Sequence, residues 1–167
     1  MSPNQGEGRS YLASNLAVVF AQLGERALLV DADMRNSRQH LLFGVQNRAG
    51  LSSMLAGRGD EGLVMDVAKV PGLCLLPAGP LPPNPLELLT RPAFASLLAE
   101  LTSRFDMVIV DTPPALECAD AQHAAAAAGA ALMVARKDCT GMSDFDKLCE
   151  TLLAGGTMLV GAVLNGT

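Results

Sequence analysis

Three groups of residues in this sequence are of types, and at spacings, that suit them to chemistry. The first is Ser2-Pro3-Asn4-Gln5-Gly6-Glu7-Gly8-Arg9-Ser10, set directly before a strong helix-forming stretch. Backbone N–H groups at a helix N-terminus hold phosphate oxygens, and Gly6 and Gly8 let the backbone approach where a side chain would collide. Ser10 then offers a hydroxyl to Mg2+. Against the pattern G-x-x-x-x-G-K-[ST], Pro3 stands at the first glycine and Arg9 at the lysine. A glycine-rich helix cap therefore accounts for the loop as well as a phosphate site does.

The second group is Asp31 and Asp33, two apart at the end of an aliphatic run, so that both project to one side and Ala32 to the other. Two like charges side by side are costly unless a cation or a proton transfer uses them; a solvated turn is the plain alternative. Arg35 follows and is placed to neutralise the pair or to reach a phosphate. The third is Asp111, which closes the hydrophobic run from Phe105 to Val110. A carboxylate there, downstream of a phosphate loop, holds Mg2+. Each signal is weak alone, but the three in this order point to nucleotide chemistry.

These residues need a scaffold that delivers strand ends to a helix start. Apolar positions Leu12, Leu16, Val19, Phe20 and Leu23 share one face of a helix over 10–23, which Gly24 stops. Strands are expected at 27–30, 73–76, 105–110, 131–135 and 158–164. Helices are expected at 39–43, 51–55, 86–104, 121–128 and 143–153, with a Pro-rich loop over 78–86. This alternation predicts an α/β fold with a mostly parallel sheet and helices on both faces, with ligands at the carboxyl ends of the strands.

At 167 residues the chain suits one domain, 1–167, and at 50% hydrophobic and 17% charged it buries plain aliphatic strands. A net charge of −5 with scattered arginines argues against nucleic acid as a partner. No apolar run reaches the roughly 18 residues of a membrane-spanning helix, so any membrane association is expected through a partner. Cys74, Cys118, Cys139 and Cys149 form no C-x-x-C pair and read as buried free thiols. His40 and His123 lie in no motif and read as surface or core residues.

Ser2–Ser10 with Ala13-Ser14-Asn15-Leu16-Ala17, then 28–35, then 79–89, then 105–114, resemble successive motifs of the bacterial tyrosine kinases (BY-kinases) over nearly the whole chain. Pro83-Asn84-Pro85 resembles this family more than the Min- and Par-type ATPases, which share the other three motifs. Within the family the likeness is to kinases associated with exopolysaccharide chain-length determination. The resemblance implies a three-layer P-loop NTPase-like fold that binds ATP or ADP with Mg2+ and transfers a phosphoryl group to tyrosine. It places Gly6, Glu7, Gly8, Arg9, Ser10 and Tyr11 around the nucleotide, with Asn165 near the adenine. It puts Ser10, Asp33 and Asp111 at the metal, and makes Asp31 the general base, with Asp33 and Arg9 beside it in catalysis. Asp120 matches an aspartate near the switch that follows the metal-binding strand.

The resemblance further implies a membrane-embedded polysaccharide co-polymerase or activator as partner and a tyrosine-containing protein as substrate. The location it implies is cytoplasmic, at the inner face of the plasma membrane through that partner. Four departures accompany it. Arg9 replaces the usual lysine; the strand that normally leads into the loop is missing; a further helix and tyrosine-rich tail would follow Thr167; and the N-terminal arginine-containing helix used for ring assembly is absent. The chain is thus expected to be truncated at both ends, with a homo-oligomer belonging to a longer form. Two other readings compete: a nucleotide-binding regulator without catalysis, and a Min- or Par-type ATPase.

Overall fold

Aliphatic runs bounded by turn residues form the strands, most of which end on a polar residue. The computed structural model describes residues 1–59 and 61–166; Thr167, the end of the expected single-domain span, lies outside them. In chain order the elements are α1 (Arg9–Gln22), β1 (Ala27–Asp31), α2 (Gln39–Phe43), α3 (Leu51–Leu55), β2 (Met65–Asp66), β3 (Leu73–Leu76), α4 (Pro85–Thr90), α5 (Pro92–Arg104), β4 (Met107–Asp111), α6 (Ala119–Ala128), β5 (Ala130–Arg136), α7 (Met142–Ala154) and β6 (Met158–Asn165). A short 3-10 turn lies at Glu61–Leu63.

One sheet has the order β2-β3-β1-β4, with β1 parallel to both β3 and β4 and β2 an antiparallel edge; β5 and β6 form a second, parallel pair. Every residue of β1 is buried. Its side chains alternate: Leu28 and Val30 join a core with Leu76, Leu89, Phe94 and Leu98 under α4 and α5, while Ala27 and Leu29 meet Ala13 and Ala17 of α1. Helices therefore cover both faces, as expected. A third cluster packs α6 and α7 on β5 through Ala121, Met133, Leu148 and Leu152.

The expected gap in the sheet is present. No pairing joins β4 to β5, and between them lies a cavity of about 510 Å3 lined by, among others, Ala13, Leu16, Val108, Val110, Ala131 and Leu132. Met1 enters its end as a one-residue parallel ladder on β5. The Met1 amine donates to the Leu132 carbonyl, and the Val134 N–H donates to the Met1 carbonyl at 2.6 Å. Burial, with Arg9 nearby, lowers the pKa of that amine to about 6.

Three expectations need correction. The stretch 86–104 is two helices, because Pro92 opens α5 and forces Arg91 before it into extended backbone (φ −69°, ψ 144°). Phe105 is not in β4; its N–H still bonds the Leu101 carbonyl at 3.0 Å, and the strand starts only at Met107. The cysteines are free but not buried: Cys74, Cys118 and Cys149 are half-buried and Cys139 is exposed. Burial and a hydrogen bond to Asp66 push the Cys74 thiol up to about 11. Among the described residues, no helix is long and apolar enough to cross a membrane.

Candidate functional site

Two aspartates end neighbouring parallel strands in register. Asp31 of β1 pairs with Asp111 of β4, and the Ala32 N–H donates to the Asp111 carbonyl at 2.8 Å. Asp31, Asp33 and Asp111 are 0%, 6% and 3% exposed, so the Asp31–Asp33 pair is no solvated turn. Each Asp31 carboxylate oxygen accepts one backbone N–H, from Asp33 and from Gln39, both at 3.2 Å. Burial, and then the charge of Asp111, still push the Asp31 pKa up to about 8. Burial also raises Asp111, opposed by hydrogen bonds from the Gln39 amide and the Ser10 hydroxyl. Asp33 caps the following turn by accepting the Asn36 N–H at 2.9 Å.

The loop reaches these strand ends by two left-handed glycines, Gly6 (φ +82°) and Gly8 (φ +91°), the second of which opens α1. A side chain at Gly8 would place its Cβ 2.3 Å from Asn165 Nδ2, so glycine is needed there for space as well as conformation. Asn165, at the end of β6, donates to the Glu7 carbonyl at 3.3 Å. The structure thus brings the far end of the chain to the loop. Glu7 is 2% exposed and holds the loop shut from within. Its carboxylate accepts the Asn4 N–H at 2.8 Å and the Thr140 hydroxyl. Arg136 donates to the Gly6 carbonyl at 3.0 Å.

Several of the expected residues are engaged by other parts of the protein or lie at its surface. Arg9 spends its donors on protein: Nε to the Thr112 carbonyl at 3.1 Å, Nη1 to the Asn4 carbonyl at 2.6 Å and to Ser2 Oγ. Arg35 neither neutralises the Asp31–Asp33 pair nor points to a phosphate position. It forms a bidentate pair with buried Asp120 at 2.7 and 3.2 Å. Tyr11 is 68% exposed on α1. Asn84 serves the Pro83-Asn84-Pro85 segment locally, accepting the Glu87 N–H as cap of α4.

Sequence reasoning missed Gln39, Thr140 and Arg136. Their partners lie 29 to 133 residues away in the chain, at Ser10, Asp111, Gly6 and Glu7, and no local pattern marks them. Among the described residues no three His, Cys, Asp or Glu side chains form a closed metal cage. Mg2+ needs none, since it takes one or two protein oxygens and completes its octahedron with phosphate and water. Ser10 at the start of α1 and Asp111 at the end of β4, both bonded by Gln39 Nε2, offer that oxygen pair.

The fold that carries this site is shared with proteins of known class. The chain superposes on the kinase domain of Escherichia coli tyrosine kinase ETK with a TM-score of 0.94 at 35% identity, covering 100% of this chain and 66% of that one. It is 40% identical to the Bacillus subtilis tyrosine-protein kinase YwqD over 96% of its own length and 68% of the relative's. Residues 4–156 match the family model of the cellulose biosynthesis protein BcsQ. The chain belongs to this P-loop family, among its bacterial tyrosine kinases. The longer relatives extend well beyond it: it spans only 22% of the Salmonella typhimurium tyrosine-protein kinase Wzc, to which it is 37% identical. The BY-kinase resemblance read from the four motifs is thereby borne out.

Proposed function

We propose that this domain is an ATP-dependent protein tyrosine kinase that transfers the γ-phosphoryl group of Mg-ATP to a tyrosine hydroxyl. The observation that carries the proposal is the in-register pair Asp31 and Asp111 at the ends of β1 and β4, facing a glycine loop that Gln39 ties to Asp111 through the Ser10 carbonyl. Phosphoryl transfer asks for positioning, charge neutralisation and a base. The N–H groups of the loop and the start of α1 position the phosphates. Ser10 and Asp111, with Asp33 beside them, are the residues to hold Mg2+, which when bound neutralises charge on the phosphates. Asp31, fully buried at the end of β1, takes the proton of the attacking tyrosine; burial raises its affinity for a proton above that of an ordinary aspartate. Asn165 lies beside the loop where an adenine-binding residue is wanted.

Arg9 favours a second reading, a nucleotide-binding regulator. Its guanidinium braces the loop, bonding the Thr112 and Asn4 carbonyls. A membrane-embedded polysaccharide co-polymerase is the partner proposed for either reading, with the domain held at the cytoplasmic face of the membrane through it.

The test is calorimetric titration with Mg-ADP, followed by phosphotransfer to a tyrosine peptide. Asp111→Asn is expected to weaken Mg2+-dependent binding, and Asp31→Asn to spare binding while removing transfer. Equal loss of both activities in Asp31→Asn would reject its role as base. Strong binding without transfer in the wild type would select the regulator.

A further inference from the structure

Gln39 is the one polar side chain among the described residues that touches both the phosphate loop and the strand-end carboxylates. It opens α2 and is fully buried. Its backbone N–H donates to Asp31 at 3.2 Å. Its side-chain Nε2 donates both to the Ser10 carbonyl at 3.0 Å and to Asp111 Oδ2 at 2.7 Å.

Chemistry sets the orientation of this amide. Both neighbours of Nε2, a carbonyl and a carboxylate, are acceptors, so the NH2 group must face them and the oxygen must point the other way. That oxygen, Oε1, is buried and has no hydrogen-bond partner. A buried acceptor left without a donor is costly and rare. The amide is nonetheless held in this orientation by its two acceptors, the Ser10 carbonyl on the loop and Asp111 at the end of β4, so that one side chain ties the phosphate loop to the strand-end carboxylate.

We propose that Gln39 is a positioning residue of the metal site, its Nε2 holding Asp111 against the Ser10 end of the loop. The proposal rests on the Mg-nucleotide reading of the site. Gln39 itself touches neither phosphate nor metal; it fixes the carboxylate that does. Its removal acts on the metal-dependent part of nucleotide binding and leaves the metal-free part alone, because the loop N–H groups that cradle phosphate do not depend on it.

The experiment measures ADP affinity by calorimetry with and without Mg2+, on the whole chain, for wild type, Gln39→Met and Gln39→Asn. The Met variant keeps the length and apolar volume while losing donor and acceptor; the Asn variant stays polar but draws the amide back by one methylene. Outer-sphere partners of a metal are typically worth about 10- to 100-fold in metal affinity. The Mg2+-dependent gain in ADP affinity should therefore fall by about tenfold in both variants, with metal-free ADP affinity held within about threefold of wild type. A wild type whose ADP affinity ignores Mg2+ overturns the underlying reading of the site. A wild type that gains from Mg2+, with either folded variant keeping the full gain or losing metal-free affinity equally, overturns the role of Gln39 alone. Should the Met variant not fold, the Asn variant decides by the same ratio.

Discussion

Asp31 should make the protein less stable as pH rises through the neutral range, and replacing it should reverse sign between acid and base. The side chain is fully buried and its pKa is raised from 3.8 to about 8, with burial the larger cause and the Asp111 charge the next. The folded state therefore holds this proton more tightly than the unfolded chain does. Its contribution is complete below pH 3.8, declines steadily above that, and is gone above about pH 8. Between pH 5 and pH 8 the decline spans three units at about 1.4 kcal/mol each, a ceiling of about 4 kcal/mol. Asparagine carries no such penalty, but only one of its two polar atoms can accept, so one of the N–H groups of Asp33 and Gln39 loses its partner, at about 1–3 kcal/mol. Asp31→Asn should thus be the less stable protein near pH 4, before the decline begins, and the more stable at pH 8. The swing in melting temperature is about 2–4 °C per kcal/mol for a chain of this size. Thermal melts of both proteins across that range, in chelator and then with Mg-ADP, provide the assay; because Asp31→Asn is expected to spare binding, Mg-ADP should raise both melting temperatures and leave the difference between them in place. A variant destabilised equally at both pH values would refute the reasoning, since it would mean that ionising Asp31 costs the fold nothing.

Three further outcomes are expected. Gly8→Ala must adopt φ near +91° and bring its Cβ to 2.3 Å from Asn165 Nδ2, so nucleotide affinity measured by calorimetry should fall at least tenfold, with a left-handed strain of about 1–2 kcal/mol in the melt. Phe94→Ala, fully buried among Leu89, Leu98 and Leu101, should cost about 3–5 kcal/mol in denaturant unfolding while the folded fraction binds nucleotide normally. Arg9→Lys gives up the forked bonds to the Thr112 and Asn4 carbonyls and should raise phosphotransfer if the arginine merely weakens an ancestral lysine site; unchanged transfer in the peptide assay would assign the arginine to the mechanism.

What was legible in the sequence is what local chemistry decides. Parallel strands buried on both faces must be aliphatic, so β1, β3 and the body of β4 stand out, and an aspartate closing such a run is conspicuous. The helix after Ser10 was legible by its spacing and by Gly24. The break at Pro92 was legible in principle, because proline restricts the residue before it, but the apolar periodicity on either side runs through it. Edge strand β2, two residues long, is made by its partner β3 and carries no pattern of its own. The site was legible in its carboxylates and not in its braces. Arg35 stands three residues after Asp31-Ala32, yet finds Asp120, 85 residues on; Glu7 looks like a ligand-side residue and is instead buried against Thr140. Such choices are made by the packed structure, where an acceptor takes whichever donor the fold brings within reach.

The one-residue ladder that Met1 makes on β5 bears on how the protein is handled at the bench. Anything fused ahead of Met1 turns its buried amine into a peptide N–H and is fed into the apolar cavity between β4 and β5. A leader of alternating valine or isoleucine there would meet two open strand edges and could be held by both, whereas a polyhistidine tag would press imidazoles against alanine and leucine. Two preparations that differ only in that leader then differ in what fills this cavity, and because the same strand end runs straight into Ser2 and the loop, they should differ in nucleotide affinity as well.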